Sequence, residues 1–331
     1  MQVVRALTTS LATDFLLADQ RKTMENGNTR PVVLLEDETL RDGLQVESRI
    51  FTLEEKLAIY EQLKAAGVRR IQVGSFVHPQ RVPQMADTDE LIRTINAQRE
   101  GGPLLSALIL NDKGLERALA CGVKHVSMSV SASNTHSRKN AGKDSHDALA
   151  SMSELITSAV AAGMTVRAGI QCAFGCVYEG AVPHEAVIAI AEKLALTGAS
   201  EVNLADSTGM ATPPAIFSLV SKVRDVAPDM GISLHLHDTR GMGMVNLFAG
   251  YRVGVRTFDV CAGGLGGCPF IRGAAGNVAL EDAVNMFNSI GVDTGIDVYA
   301  VCDTVAHLQS LLGRELPGKM SRVVAFERNN G

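Results

Sequence analysis

Thr165-Val166-Arg167-Ala168-Gly169-Ile170-Gln171, Glu201-Val202-Asn203-Leu204 and Ile232-Ser233-Leu234-His235-Leu236-His237 are short apolar-rich runs, separated by the helix-length segments Pro183–Leu196 and Pro214–Val226. Strand, helix, strand, helix and strand in succession build parallel sheet, because a parallel neighbour is reached only by a connection that travels back along the sheet. The alternation extends in both directions. Upstream, Val32–Glu36, Arg70–Gly74, Leu104–Leu110 and His125–Val130 read as strands, with Leu53–Ala66, Thr88–Ala97, Lys113–Ala120 and Ser145–Ala162 as helices. Downstream, Met244–Val253 reads as a helix and Thr257–Cys261 as a strand. Eight strand candidates at this spacing predict a closed (β/α)8 TIM barrel rather than an open doubly wound sheet. Gly67, Gly122, Gly163, Gly198 and Gly254 each precede a strand, where a helix wants a left-handed stop. No G-x-G-x-x-G follows the first strand, which disfavours dinucleotide binding.

A chain of 331 residues with 46% hydrophobic content can fill one barrel with additions. Residues 31–331 therefore read as a single catalytic domain, a barrel with a C-terminal helical addition, and residues 1–30 as a short N-terminal extension outside the core. Asp14, Asp19 and Glu25 disfavour a transit peptide there. The chain has no apolar run of bilayer length and no secretory leader pattern, so a soluble cytoplasmic protein without a membrane partner is expected. Its net charge of −5 comes from 31 basic and 36 acidic residues interspersed along the chain, which leaves no basic surface for nucleic acid. Six cysteines, Cys121, Cys172, Cys176, Cys261, Cys268 and Cys302, are too sparse for a disulfide framework and lack the paired spacing of structural zinc. Free thiols are expected.

A barrel of this kind carries its chemistry at the C-terminal ends of its strands. The first strand runs into Asp37-Glu38-Thr39-Leu40-Arg41-Asp42-Gly43, which puts a carboxylate and a guanidinium at the mouth. Alone, a surface ion pair would explain them. The seventh strand shifts the balance, because His235 and His237, two residues apart, share one face. Packing explains such a pair poorly and metal binding explains it well. With Asp42, and with an oxygen donor from Asn277 at the start of a helix beyond the eighth strand, the set mixes nitrogen and oxygen without thiolate. That favours Mg²⁺ or Mn²⁺ over structural zinc. The eighth strand leads into Gly263-Gly264-Leu265-Gly266-Gly267-Cys268-Pro269. A mere connector gains nothing from a thiol at its tip, whereas a closing lid that brings an acid/base group to the substrate does. Arg167, inward on the fifth strand, would orient a carboxylate or other polar partner or sit in a buried salt bridge. Asp206 and Glu281 are candidate supporting carboxylates.

Together these pieces resemble 3-hydroxy-3-methylglutaryl-CoA lyase, within the metal-dependent barrel superfamily that also holds isopropylmalate and citramalate synthases. The motifs are Arg41-Asp42-Gly43-Leu44-Gln45, Ser75-Phe76-Val77, Val82-Pro83-Gln84-Met85, Cys172-Ala173-Phe174-Gly175-Cys176, Asp206-Ser207-Thr208-Gly209, His235-Leu236-His237-Asp238-Thr239 and the glycine run ending at Cys268. The resemblance implies Asp42, His235, His237 and Asn277 as metal ligands, Arg41 as the group stabilising an enolate oxygen, and Cys268 as an acid/base. It further implies Gln45 and Arg167 as contacts for a coenzyme A thioester, the acyl-CoA substrate as partner, a homodimer or higher homo-oligomer, and a place in leucine breakdown. The expected reaction is retro-aldol cleavage of 3-hydroxy-3-methylglutaryl-CoA, or a related 3-hydroxyacyl-CoA, to a keto acid and an acyl-CoA. A Claisen-type synthase and a non-catalytic CoA-binding barrel are the alternatives.

The pattern breaks at two places. Gln72 stands where the lyases carry a glutamate, which removes a charge while keeping the size. Arg240-Gly241-Met242-Gly243 stands where lyases often have Tyr-Gly-Gln, adding a cation that could meet a second carboxylate of the acyl group, Asp238 or a phosphate of CoA. Gln72 and Arg240 are therefore the expected determinants of substrate choice.

Overall fold

The computed structural model describes residues 32–98, 101–267 and 276–330. The extension expected over residues 1–30 and the thiol of Cys268 lie outside them. Among the described residues eight parallel strands close into a ring in chain order: β1 (Leu34–Asp37), β2 (Arg70–Ser75), β3 (Leu104–Leu108), β4 (His125–Ser131), β5 (Thr165–Gln171), β6 (Glu201–Asp206), β7 (Gly231–Leu236) and β8 (Thr257–Val260). β1 pairs with both β2 and β8, so the sheet has no edge. The helices that carry the chain back are α1 (Leu53–Ala65), α2 (Thr88–Ala97), α3 (Asp112–Ala120), α4 (Asn134–Ala141), α5 (Ser145–Ala161), α6 (His184–Ala195), α7 (Pro213–Val226), α8 (Gly243–Arg252) and α9 (Leu280–Ser289). The C-terminal addition is α10 (Val298–Leu312), which packs on α1, and α11 (Met320–Asn330). No described helix is long and apolar enough to cross a membrane.

Local chemistry accounts for these boundaries. α1 begins with a capping box in which the Thr52 side chain accepts from Glu55 N while the Glu55 carboxylate accepts from Thr52 N. All five glycines expected as helix stops have positive φ, from +77° at Gly122 to +96° at Gly254. At Gly67 a Cβ would also lie 2.3 Å from the Gly295 carbonyl oxygen, so no other residue fits. The first strand starts later than the apolar run suggests, because Val32 bridges to Asp293 rather than joining the barrel.

The two faces of the barrel wall differ in kind. The outward residues Leu35, Ile71, Val166, Val202, Leu204, Leu234 and Phe258 are buried and apolar. The alternate positions, Glu36, Arg70, Gln72, Ser127, Arg167, Glu201, Asn203, Ser233, His235 and Asp259, are polar and equally buried or nearly so. Arg70 on β2 donates to Glu201 on β6 from Nη1 and Nη2, each at 3.2 Å. These strands stand opposite each other in the ring, so the contact runs through the lumen.

Candidate active site

At the end of β1 the chain winds into one wide helical turn, Thr39–Gly43. The Asp37 carboxylate sets it, accepting from the Thr39 amide at 3.0 Å and the Thr39 hydroxyl at 2.8 Å. Burial pushes the Asp37 carboxyl up to about 7 although Thr39 bonds to it. Thr39 Oγ1 accepts in turn from Ala262 N at 2.8 Å, which tacks the turn to the end of β8. The turn presents Arg41 and Asp42. Arg41 donates to the Gln72 amide oxygen, to Asp42 and to Glu38, so its fork is held from three sides.

The end of β7 faces this turn. The Nε2 atoms of His235 and His237 lie 3.0 Å apart, and an oxygen of Asp42 falls within 4.8 Å of both rings' ligand atoms. Asn277 completes the group by a route different from the expected helix start. It lies opposite His237 in a short extended stretch, pinned where Asp238 N donates to Gly276 O at 2.8 Å and Val278 N to Leu236 O at 3.2 Å, and α9 begins only at Leu280. Its Nδ2 donates to Asp42 Oδ2 at 2.8 Å and to Leu265 O at 3.0 Å, which leaves Oδ1 buried without a partner among the described residues. The glycine run makes this approach. At Gly266, with φ +89°, a Cβ would lie 2.5 Å from Asn277 Nδ2 and 3.1 Å from Asp42 Oδ2.

Two imidazole nitrogens, a carboxylate and an orphaned buried amide oxygen fit a divalent cation of intermediate hardness. The charges agree. Burial raises Asp42, yet Arg41, His235 and His237 outweigh it and hold the carboxyl well below its usual range. Burial and the neighbouring His235 push His237 down to about 4, so its ring is neutral at physiological pH. For His235 burial is outweighed by the Asp259 hydrogen bond and by the charges of Glu38, Asp259 and Asp42, which raise it.

Residues 33–307 match the family model described as HMGL-like. The chain belongs to the HMGL-like family. It is 41% identical over 298 residues to the (R)-citramalyl-CoA lyase of Chloroflexus aurantiacus, covering 88% of this chain and 94% of that one. It is 36% identical over 283 residues to a hydroxymethylglutaryl-CoA lyase of Bacillus subtilis, covering 86% and 94% respectively. The structure of an HMG-CoA lyase from Acinetobacter baumannii in complex with coenzyme A and 3-methylmalate superposes with a TM-score of 0.82 at 34% identity, covering 88% of this chain and 94% of that chain. The relatives are carbon–carbon lyases by name, which bears out the resemblance read from the motifs.

Within this HMGL-like frame the other candidate residues fall into distinct places. Gln72 is fully buried beneath Arg41 and donates from Nε2 to Ser127 Oγ at 3.1 Å. Gln45 is half-buried just past the turn, and Arg240 is exposed. Arg167 sits in the lumen, where Nη1 reaches Glu36 at 2.8 Å and Asp259 at 2.6 Å and Nη2 reaches Glu38 at 2.6 Å. That is the buried salt bridge of its two readings. Asp206 accepts from Met210 N at 2.8 Å and Ala211 N at 3.0 Å, and burial pushes it up to about 6. Glu281 accepts from Gly263 N at 2.9 Å and so anchors the base of the glycine run. Beside that run the described residues leave a cavity of about 440 Å³, bordered by Glu47, Arg314, Leu316, Pro317 and Arg322. The described cysteines are free and buried. Sequence reasoning passed over Glu38, Asn203 and Asp259. Polar side chains at period-two positions inside strands were the signal for all but Glu38, which follows the end of β1.

Proposed function

We propose that this protein is a divalent-metal-dependent lyase that cleaves a 3-hydroxy-3-methylacyl-CoA bearing one free carboxylate into acetyl-CoA and a keto acid. The observation that carries the reading is the meeting of Asp42, His235 and His237, with Asn277 bonded to Asp42 through Nδ2 and its Oδ1 orphaned, beside a guanidinium fixed from three sides. Asp42, His235, His237 and Asn277 would hold a divalent cation, which would supply Lewis-acid polarisation of the substrate's oxygens. The 3-hydroxyl proton passes to the Asp42 carboxylate, since His235 would give its one lone pair to the cation. The C2–C3 bond then breaks with its electron pair left on C2, and C3 becomes the ketone of the keto acid. Arg41 donates hydrogen bonds to the thioester oxygen on which that charge spreads. Cys268, following Gly267 in the chain, returns a proton to C2 and completes the acetyl group. Arg314 and Arg322 offer cations for the phosphates of CoA at the cavity beside the glycine run, and Gln45 lies near the thioester end.

The acyl chain follows from charge. Citramalyl-CoA carries its carboxylate on C3 itself, and hydroxymethylglutaryl-CoA carries it one methylene further out. Gln72, being neutral, leaves Arg41 with one carboxylate fewer than a glutamate would, which favours the substrate whose own carboxylate comes closest. Arg240, at the rim, is the second contact we assign to that arm. Citramalyl-CoA is accordingly the better substrate. The test uses the purified full chain with Mn²⁺ or Mg²⁺ and a reductant. Pyruvate from citramalyl-CoA should appear faster than acetoacetate from hydroxymethylglutaryl-CoA. A chelator should stop both reactions and added Mn²⁺ restore them. Release of neither keto acid sinks the reading, and turnover that survives chelation sinks the metal's part in it. CoA release from acetyl-CoA and a 2-oxo acid would mark a synthase instead, which the lyase relatives do not favour.

A further inference from the structure

The two imidazoles of the cluster are not supported alike. His237 Nδ1 is buried without a partner among the described residues. His235 Nδ1 faces Asp259 Oδ2 at 3.2 Å and Glu38 Oε2 at 3.5 Å. His235 and Asp259 are register partners on β7 and β8, so the pairing is built into the wall of the barrel. We propose that Asp259 is a positioning residue that fixes the proton of His235 on Nδ1, turning the Nε2 lone pair to the metal, and that Arg167 and Asn203 hold Asp259 for this task. The proposal rests on the metal group of the reading above, not on the substrate.

The hydrogen-bond inventory leaves one arrangement. Asp259 Oδ1 receives Arg167 Nη1 at 2.6 Å, and Oδ2 receives Asn203 Nδ2 at 3.1 Å. A guanidinium and an amide nitrogen can only donate, so both oxygens of Asp259 act as acceptors. A ring nitrogen facing such an oxygen must itself donate, and a ring that keeps a lone pair for the metal has only one N–H. The proton is therefore on Nδ1, and the lone pair is on Nε2, which faces His237 and Asp42. Arg167 does more than hold one acceptor, because its Nη2 binds Glu38 Oε1 at 2.6 Å and so aligns the second acceptor around the same ring atom. Glu38, His235 and Asp259 could themselves surround an ion. Arg167 places a fixed guanidinium against both carboxylates, so the lumen carries a protein-borne cation beneath the metal group.

Asp259→Asn tests this. In either orientation an amide sets a donor against Arg167 or against His235 and Asn203, so the ring loses its acceptor or the amide loses its hold. Manganese binding to the full-length protein is measured by titration with electron paramagnetic resonance, alongside thermal melting. The Kd for Mn²⁺ should rise about 10- to 100-fold. A Kd within twofold of wild type, even with a lowered Tm, shows a merely structural residue and overturns the proposal. If wild type itself binds no Mn²⁺, the metal group fails and the proposal with it. Should Asp259→Asn not fold, ¹⁵N-histidine spectra of the Mg²⁺-loaded wild type decide, with His235 assigned by His235→Gln. A proton on Nδ1 is expected, and a proton on Nε2 overturns.

Discussion

The inner and outer faces of one barrel wall solve the same burial problem by opposite means. Outside, apolar side chains such as Ile71, Leu204 and Phe258 meet the helices, and stability comes from area removed from water. Inside, Glu36, Glu38, Arg70, Arg167, Glu201 and Asp259 are closed into ion pairs that cross the lumen. TIM-barrel interiors are more often filled with branched apolar residues. A paired lumen is a costly way to hold strands together, since each charge must be desolvated. It has one advantage over packing: it sets the direction of a hydrogen bond at the mouth, where His235 needs one. Failure should differ accordingly, with inner-face changes reaching both stability and the metal group and outer-face changes reaching stability alone.

The largest effect is expected from Arg167→Met. It strips one guanidinium from three buried carboxylates, and breaking a buried pair from one side costs about 3–5 kcal/mol. Urea unfolding should show that loss, and the folded fraction should bind Mn²⁺ more weakly, because Glu38 and Asp259 lose their brace. A loss under about 1 kcal/mol would mean that the lumen is not held by its charges, and the contrast would fall. Leu204→Ala on the outer face comes next. Leu204 is 0% exposed, so the truncation should cost about 2–5 kcal/mol through lost transfer energy and a cavity. Its Mn²⁺ affinity should stay within twofold of wild type. A weakened metal group in Leu204→Ala would show that the two faces are coupled.

The same contrast explains what could be read from the chain. Outer positions announce themselves one by one, since an apolar residue at every second place needs no knowledge of its partner. His235 and His237 are legible for the same reason, being two residues apart on a single strand. Inner charges are different. Arg70 meets Glu201, and Arg167 meets Glu36, across the full width of the ring, so their pairing depends on closure and stagger that no local pattern encodes. Arg167 taken alone therefore fits either a thioester contact or a salt bridge, and Asp259 carries no local mark of its partner. Asn277 reads as the entry to a helix but lies on an extended stretch, because its place is set by a bridge to His237 made after the chain has passed through β8.

The smallest effect tests carboxylates that lack a guanidinium. Glu281, outside the lumen, has only the Gly263 amide on one oxygen and no partner on the other among the described residues. Burial pushes its carboxyl up to about 7 from an ordinary 4.5. The sign follows. Folded protein binds this proton more tightly than unfolded chain, so the group's contribution is fully present below about pH 4.5 and is lost as pH rises through 7. Asp37, raised to about 7 by burial, acts in the same direction over the same window. Glu281→Gln should melt close to wild type at pH 5 and above it at pH 8, by roughly 3 kcal/mol at most. The remaining slope should be shared by Asp37 and by Asp206, which burial raises to about 6. A Glu281→Gln protein less stable than wild type at pH 8 would mean that the ionised carboxylate is wanted where it stands, and that the outer carboxylates are compensated after all.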